Sequence, residues 1–417
     1  MPGTHAHVTD WVAQKCLRLL TNGLISGMCF DTSIEKEYKK DFQVGDTVYF
    51  KYPDKGTFRS DLTYVGGVAN RRTGSVVVDQ IIGMDLEFDS LEMLFEREKS
   101  GQEVDDQYFK PRIAQLIQQF ELRSMEFIKN YASQCIGAVA TTPTTLTTYN
   151  GARTRLSERS LWEDNEVLMI VTPEMMATVG NQVLPYMKPD DEVSRFFKTG
   201  SIGKYAGMRW FESMSLPVHT IGTAVTGLTT NGAGQSGNTL LLNATTAQTV
   251  KKGDKFSIDG VYAVNEMTLQ TTRRLREFTV NNDATAASSA FASGAFTFTP
   301  SIIGPGSPYQ NVDALPGDAA ALTLWPGTSA PSGKVGPIGL AIKKKDFAFR
   351  VSLPLPMPKK SSVEEAYRVH DPDTDIGISI ISSWDNTNRK MITRLDLDPF
   401  GFGVKYSDGA VCIGSAQ

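Results

Sequence analysis

Few residues of this chain could do chemistry, and their spacings mostly refuse the chemistry they suggest. Asp371, Asp373 and Asp375 alternate in D-P-D-T-D-I-G-I-S-I, as oxygen ligands do at the start of a calcium loop. The glycine of such a loop falls one place late, at Gly377, and Ser382 stands where the bidentate glutamate belongs. A turn whose carboxylates accept backbone N–H bonds fits these spacings better. Gly203-Lys204 would end a phosphate loop, but Lys198 occupies its first glycine position and Tyr205 replaces the Ser/Thr. In Gly234-Gln235-Ser236-Gly237 the second glycine comes one residue too early for a nucleophile elbow. A Ser-His or metal-dependent hydrolase would have to rest on His219 or His370, since His5 and His7 sit at the N-terminus. The four cysteines, Cys16, Cys29, Cys135 and Cys412, lie far apart without C-x-x-C spacing, which favours idle thiols over a zinc site or disulfide framework. We therefore expect no catalytic, cofactor-binding or metal-binding residues and no cofactor.

What remains is basic. Arg273, Arg274 and Arg276 form one compact cluster; Arg59, Arg71 and Arg72 flank a glycine-bearing polar tip. The formal net charge of -4 argues against a dedicated nucleic-acid protein, so these arginines read as contacts to other subunits. At 417 residues, 41% hydrophobic and 21% charged, the chain has the composition of a soluble protein with two or three domains. No run approaches the roughly 18 apolar residues of a membrane span. The opening M-P-G-T-H-A-H lacks the pattern of a signal peptide, so a cytoplasmic product is expected.

The elements that must position these residues follow from periodicity. Val8, Trp11, Val12, Cys16, Leu17 and Leu20 fall at helical spacing. Gln43 to Phe50 turns into a β-run, and Ser75 to Asp79 starts a return strand, which together predict an extended hairpin that needs a neighbour to lie on. Asp89-Ser90 can cap a short helix through about Lys99. Pro111 to Cys135 carries one stripe (Ile113, Leu116, Ile117, Phe120, Phe127, Ile128, Tyr131, Cys135) and predicts a long scaffold helix ahead of Gly137. Glu166 to Val171 reads as a buried strand, and Thr172-Pro173-Glu174 as the start of a helix toward Leu184. From Gly222 to Val250 no charged residue occurs, and Thr, Ala, Gly, Ser and Asn dominate to about Gly336. The strand-like runs Lys252–Ile258 and Phe296–Pro300 inside that region suggest a small β-barrel or sandwich. Ile376, Ile378 and Ile380 alternate, an Asp385-Asn386 turn follows, and a second strand runs from Met391 to an aromatic end at Phe400–Phe402. Each of these two strands should have one buried and one wetter face.

In order and spacing these pieces resemble the major coat protein family of podoviruses, typified by the coat protein of the Salmonella temperate phage. The likeness rests on G-S-I-G-K-Y-A-G at 200–207, L-P-V-H-T-I-G-T at 216–223, V-K-K-G-D-K-F-S-I-D-G-V at 250–261, and the closing D-P-D-T-D-I-G-I-S-I and R-L-D-L-D-P-F-G-F-G. The resemblance implies an α+β chain of Hong Kong 97-like capsid fold, with a long spine helix, an extended β-hairpin loop, peripheral and axial domains, and an inserted small β-barrel. Carried onto this chain it gives an N-terminal arm at 1–41, an extended loop at 42–83, and peripheral and axial segments at 84–221 and 337–417 that enclose an insertion at 222–336. The family's insertion carries a charged loop that crosses a local two-fold axis; the stretch before Lys251 here has no charges, so contacts there would be apolar or polar.

The function implied is that of a major capsid protein assembling into the icosahedral head that encloses the double-stranded DNA of a tailed phage, and not an enzyme. Implied partners are the chain itself in hexamers and pentamers, a scaffolding protein, a portal, a decoration protein, and packaged DNA met at the inner face without sequence specificity, with no membrane. Localisation would be the virion, after assembly in the host cytoplasm. Two other readings stay open: a β-rich extracellular or tail-borne ligand-binding protein, and an encapsulin-type compartment shell.

Overall fold

The structure, a computed structural model, describes residues 24–34, 47–56, 62, 72–89, 110–158, 166–183, 203–224, 227–286, 290–292, 294–325, 333–358, 365–371 and 376–416. The expected N-terminal helix, the helix after Ser90, Arg59, Arg71, Asp373 and Asp375 lie outside these residues. The chain divides into two compact units, one from Met1–Phe50, Thr73–Ser124 and Phe349–Gly403, the other from Lys51–Arg72, Met125–Ala348 and Val404–Gln417.

In the first unit the alternating C-terminal runs pair as expected. Ile376–Asp385 is antiparallel to Lys390–Leu397, and a four-stranded sheet forms in the order Glu365–Asp371, Ile376–Asp385, Lys390–Leu397, Gly83–Asp89. The connecting turn is held by Asp385, whose carboxylate accepts the Thr387 N–H at 2.8 Å and the Asn388 amide at 2.7 Å. Ile376, Ile378, Ile380, Leu395 and Leu397 pack against Ile113, Leu116, Ile117 and Phe120 of helix α1, Lys110–Tyr131. The face of Ile376–Asp385 expected to be wetter is closed over its first half, where Gly377 and Ser379 are also buried. Gly377 is required there: a Cβ would stand 2.0 Å from Asp398 Oδ2, the carboxylate that pairs with Arg368. Asp89, expected at a helix cap, ends the edge strand Gly83–Asp89 opposite Lys390.

Thr47–Lys51 and Thr73–Val77 form a two-stranded ribbon, which falls in this unit except for Lys51. Its inner face buries Val48, Phe50 and Val76, with the Phe50 ring 4.7 Å from Phe349. Its outer face presents Tyr49 and Val77, 62% and 43% exposed.

Helix α1 begins where its proline predicts but stops at Tyr131, short of Cys135. The reason is competition from a sheet. Ser133 N–H bonds Ser407 at 3.0 Å, and Gln134–Ile136 becomes a strand parallel to Ala410–Gly414, with Cys135 beside Cys412. The helix contributes its residues through Ser124 to the first unit and its last turns to the second.

The second unit holds two sheets. One runs Gln134–Ile136, Ala410–Gly414, Val335–Lys343, Val167–Val171, Met208–Glu212, Lys204–Tyr205, with Val218–Thr220 pairing separately onto Val335–Lys343. Helices α2, Leu146–Glu158, and α3, Pro173–Val183, cover it with Tyr149, Leu156, Met175 and Val179. As expected, Thr172 caps α3 by accepting the Met175 N–H at 3.3 Å; α2 was not anticipated.

The other sheet has the order Gly237–Thr239, Thr297–Ile302, Thr271–Val280, Lys255–Val264, Ala321–Leu324, Leu228–Thr230, Leu242–Ala244. Its two edge strands are joined by Leu240 and Leu241 alone. Three steps of about 3.8 Å keep those edges within about 11 Å, so the sheet curls back on itself. Inside lie Phe256, Phe278, Phe296 and Phe298, with ring centroids 5.2 to 6.4 Å apart. The strand leading in and the strand leading out are paired: Thr220 with Val335, His219 with Gly336, and Val218 with Pro337.

Candidate functional site

The densest chemistry of the molecule lies in the second unit, where strands of the curled sheet meet the end of α1. A helix end leaves carbonyls without partners. Here Lys255 Nζ donates to the Lys129 carbonyl at 2.7 Å and Thr279 Oγ1 to the Ala132 carbonyl at 2.6 Å. Lys255 is 2% exposed, and burial pushes its ammonium below the usual lysine range. The negative end of the helix dipole offsets part of that cost.

Three carboxylates complete the seam. Glu277 accepts the Cys135 N–H at 3.0 Å and pairs with Arg155. Asp408 accepts from Arg276 Nη2 at 2.7 Å and from the Ser133 hydroxyl. Asp254 meets His219 Nε2 at 2.8 Å and accepts the N–H groups of Gly222 at 3.1 Å and Lys251 at 2.8 Å. Burial holds the His219 imidazole below its ordinary range, and the Asp254 bond opposes that shift. Each carboxylate is already held by donors of its own chain, so the seam positions strands; it is not arranged to transform a substrate. None of these acids was singled out from sequence. Only the turn Lys251-Lys252-Gly253-Asp254 carried a signal, a short acid placed to accept the N–H groups of its own turn.

The sequence-predicted arginines separate. Arg276, expected at a subunit contact, is corrected: its side chain is 1% exposed and bound to Asp408, because the strand Thr271–Val280 turns that position inward. Arg274 pairs with Glu158 at 3.2 Å and is partly exposed. Arg273 is exposed with a left-handed φ of 57°. Arg72 is exposed and lies over the rings of Tyr52 and Tyr309, at 5.3 and 4.9 Å. Arg72 and Arg276 line one cavity. Cys29, Cys135 and Cys412 are buried thiols. Lys204 opens a two-strand hairpin that turns at Ala206 and Gly207, both at positive φ, and it pairs with Glu166 at 3.4 Å, so Gly203-Lys204 leads into a strand.

Several large apolar side chains stand exposed at the surface. Besides Tyr49 and Val77 on the ribbon, Ile81 is 49% exposed and Leu62, between the ribbon's two strands in sequence, is 99% exposed. Among the described residues no helix is long and apolar enough to cross a membrane.

Several solved phage structures are similar to this chain. They include one of Mycobacterium phage Che8 (10% identity, 94% of this chain and 92% of that chain, TM-score 0.48). The capsid of cyanophage P-SCSP1u shows 11% identity over 90% of this chain and 84% of that one, TM-score 0.41. The capsid of Ralstonia phage GP4 shows 7% identity over 94% and 87%, TM-score 0.40. No curated protein matches. The model of the family described as P22 coat protein, gene protein 5, matches residues 39–402, and the chain belongs to that family.

Proposed function

We propose that this chain, a major capsid protein of a tailed phage, closes an icosahedral shell of Hong Kong 97-like architecture through its ribbon and arm. The observation that carries the reading is the ribbon Thr47–Lys51/Thr73–Val77, a two-stranded element whose outer face leaves Tyr49 and Val77 in solvent. A two-stranded ribbon is marginal in water, and exposed apolar residues on it gain stability only when a neighbouring copy covers them. Many modest interfaces, closed by symmetry, then give a stable shell.

In this reading 1–41 is the N-terminal arm, 42–83 the extended loop, α1 the spine, and 84–221 with 337–417 the peripheral and axial domains. Residues 222–336 form an inserted barrel; the antiparallel pairing of Val218–Thr220 with Val335–Pro337 supports an insertion whose ends lie together. Arg59, Arg71, Arg72, Arg273 and Arg274 serve as contacts to neighbours. Hexamers and pentamers, a scaffolding protein, a portal, a decoration protein, non-specific DNA contact at the inner face and assembly in the host cytoplasm rest on the family likeness.

Changing Tyr49 and Val77 together to serine tests the mechanism. The unassembled subunit should melt within about 2 °C of the parent, because surface substitutions stay within about 0.5 kcal/mol. Shells counted by negative-stain microscopy and sedimentation should fall severalfold. Normal shell yield from the double variant would refute the role of this face.

A further inference from the structure

Lys55 and Arg72 close one side of a cavity of about 270 Å³; strands of the curled sheet and the segment Val404–Asp408 supply the other walls. We propose that this cavity is a binding site for a small oxyanion, a phosphate or a carboxylate, seated on the guanidinium of Arg276.

Arg276 carries the argument. Its side chain is 1% exposed; Nη2 bonds Asp408, while Nε and Nη1 are buried and meet no acceptor. A buried donor without a partner costs about 1–3 kcal/mol, more on a charged group, so an acceptor in the cavity is strongly favoured. Charge decides what kind. Four cations line the space (Lys55, Arg72, Arg276 and Lys405) against two carboxylates, Glu266 and Asp408. Both carboxylates are engaged, Glu266 by Lys55 and Asp408 by Arg276 and Ser133. The local field is therefore positive, and charge-assisted bonds to an oxyanion are about twice as strong as those to a neutral acceptor.

Size and wall agree with this. The volume exceeds the roughly 30 Å³ share of one water several times over. Tyr52 and Tyr309 hold the Arg72 guanidinium over their rings and fix its donors at the cavity wall. An occupant would bridge Arg276 of the curled sheet to Lys55 and Arg72. The site stands on this geometry alone and does not depend on how shells close.

Isothermal titration calorimetry of the full-length chain tests it, with sodium phosphate and with sodium acetate in separate series, each against sodium chloride of equal ionic strength. One-site saturable heat is expected in at least one series. Phosphate alone identifies a tetrahedral ligand; acetate as well identifies a carboxylate. The double variant Arg72→Gln/Lys405→Gln should bind at least tenfold more weakly, and Arg276→Met should not bind. Should Arg276→Met fail to fold, as its circular dichroism melt would show, the double variant carries the comparison. Absence of saturable heat in both series, or unchanged affinity in the double variant, overturns the proposal.

Discussion

At the scale of single residues, burial rather than charge pairing sets the pH behaviour. Glu121 on α1 is 4% exposed, and desolvation raises its carboxyl from 4.5 to about 7 against the opposing N–H bonds of Ile25 and Ser26. A carboxyl raised on folding contributes stability that is complete below about pH 4.5 and is lost as pH rises through 7. Two and a half pKa units correspond to roughly 3 kcal/mol, so Glu121→Gln should gain on the parent by up to about that much between pH 5 and pH 8. Urea midpoints at both pH values check this, and parallel pH profiles would rule it out. His219 works with the opposite sign in the second unit: its lowered pKa gives stability present above its ordinary 6.5 and lost as pH falls. Its partner Asp254 holds three donors, so Asp254→Ala should cost about 3 kcal/mol or more and speed amide exchange at Gly222 and Lys251. Asp254→Asn, which keeps one acceptor, should cost less.

At the scale of elements, the curled sheet stands on its phenylalanines. Phe298 is 1% exposed and touches Phe256 and Phe278 at centroid distances of 5.7 and 5.3 Å. Phe298→Ala should cost about 3–5 kcal/mol in chemical denaturation, chiefly through the cavity left behind. Residues 222–336 expressed alone should unfold cooperatively, since their seven-stranded sheet pairs only within itself. They should do so at a lower midpoint than in the full chain, because Lys255, Thr279 and Arg276 lose their partners Lys129, Ala132 and Asp408. A random-coil NMR spectrum of the segment would defeat this expectation.

At the scale of the whole molecule, the arginines proposed as contacts should sort by what already holds them. Arg72→Ser breaks two cation–π contacts inside the subunit and should lower its stability by about 1 kcal/mol. Arg273→Ser/Arg274→Ser should leave the melting temperature nearly unchanged while shell yield falls, since exposed pairs are worth about 0–1 kcal/mol singly but recur in every copy. Repeating the assembly at high salt should shrink the difference between variant and parent, as screening weakens those contacts in both.

The sequence alone determined what depends on neighbours along the chain. The start of α1 at its proline, the cap of Thr172 on α3, the alternation that pairs Ile376–Asp385 with Lys390–Leu397, and the strand at Val167–Val171 all follow from local spacing. The order of motifs carried the family. Tertiary structure decided everything that long-range partners decide. Helix α1 stops at Tyr131 because Gln134–Ile136 finds Ala410–Gly414, nearly 280 residues on. Ser379 is buried on the face where Asp398, paired with Arg368, lies against Gly377. Arg276 and Arg274 are two apart and identical in type, positions that a regular strand would place on one face, yet one is buried and the other partly exposed. The register of this strand slips, Arg273 takes a positive φ, and only the packed structure says which position is covered. Apart from Asp254, whose own turn marks it, the seam was illegible for the same reason: Lys255, Glu277 and Asp408 meet partners from distant segments, and nothing local marks where those partners lie.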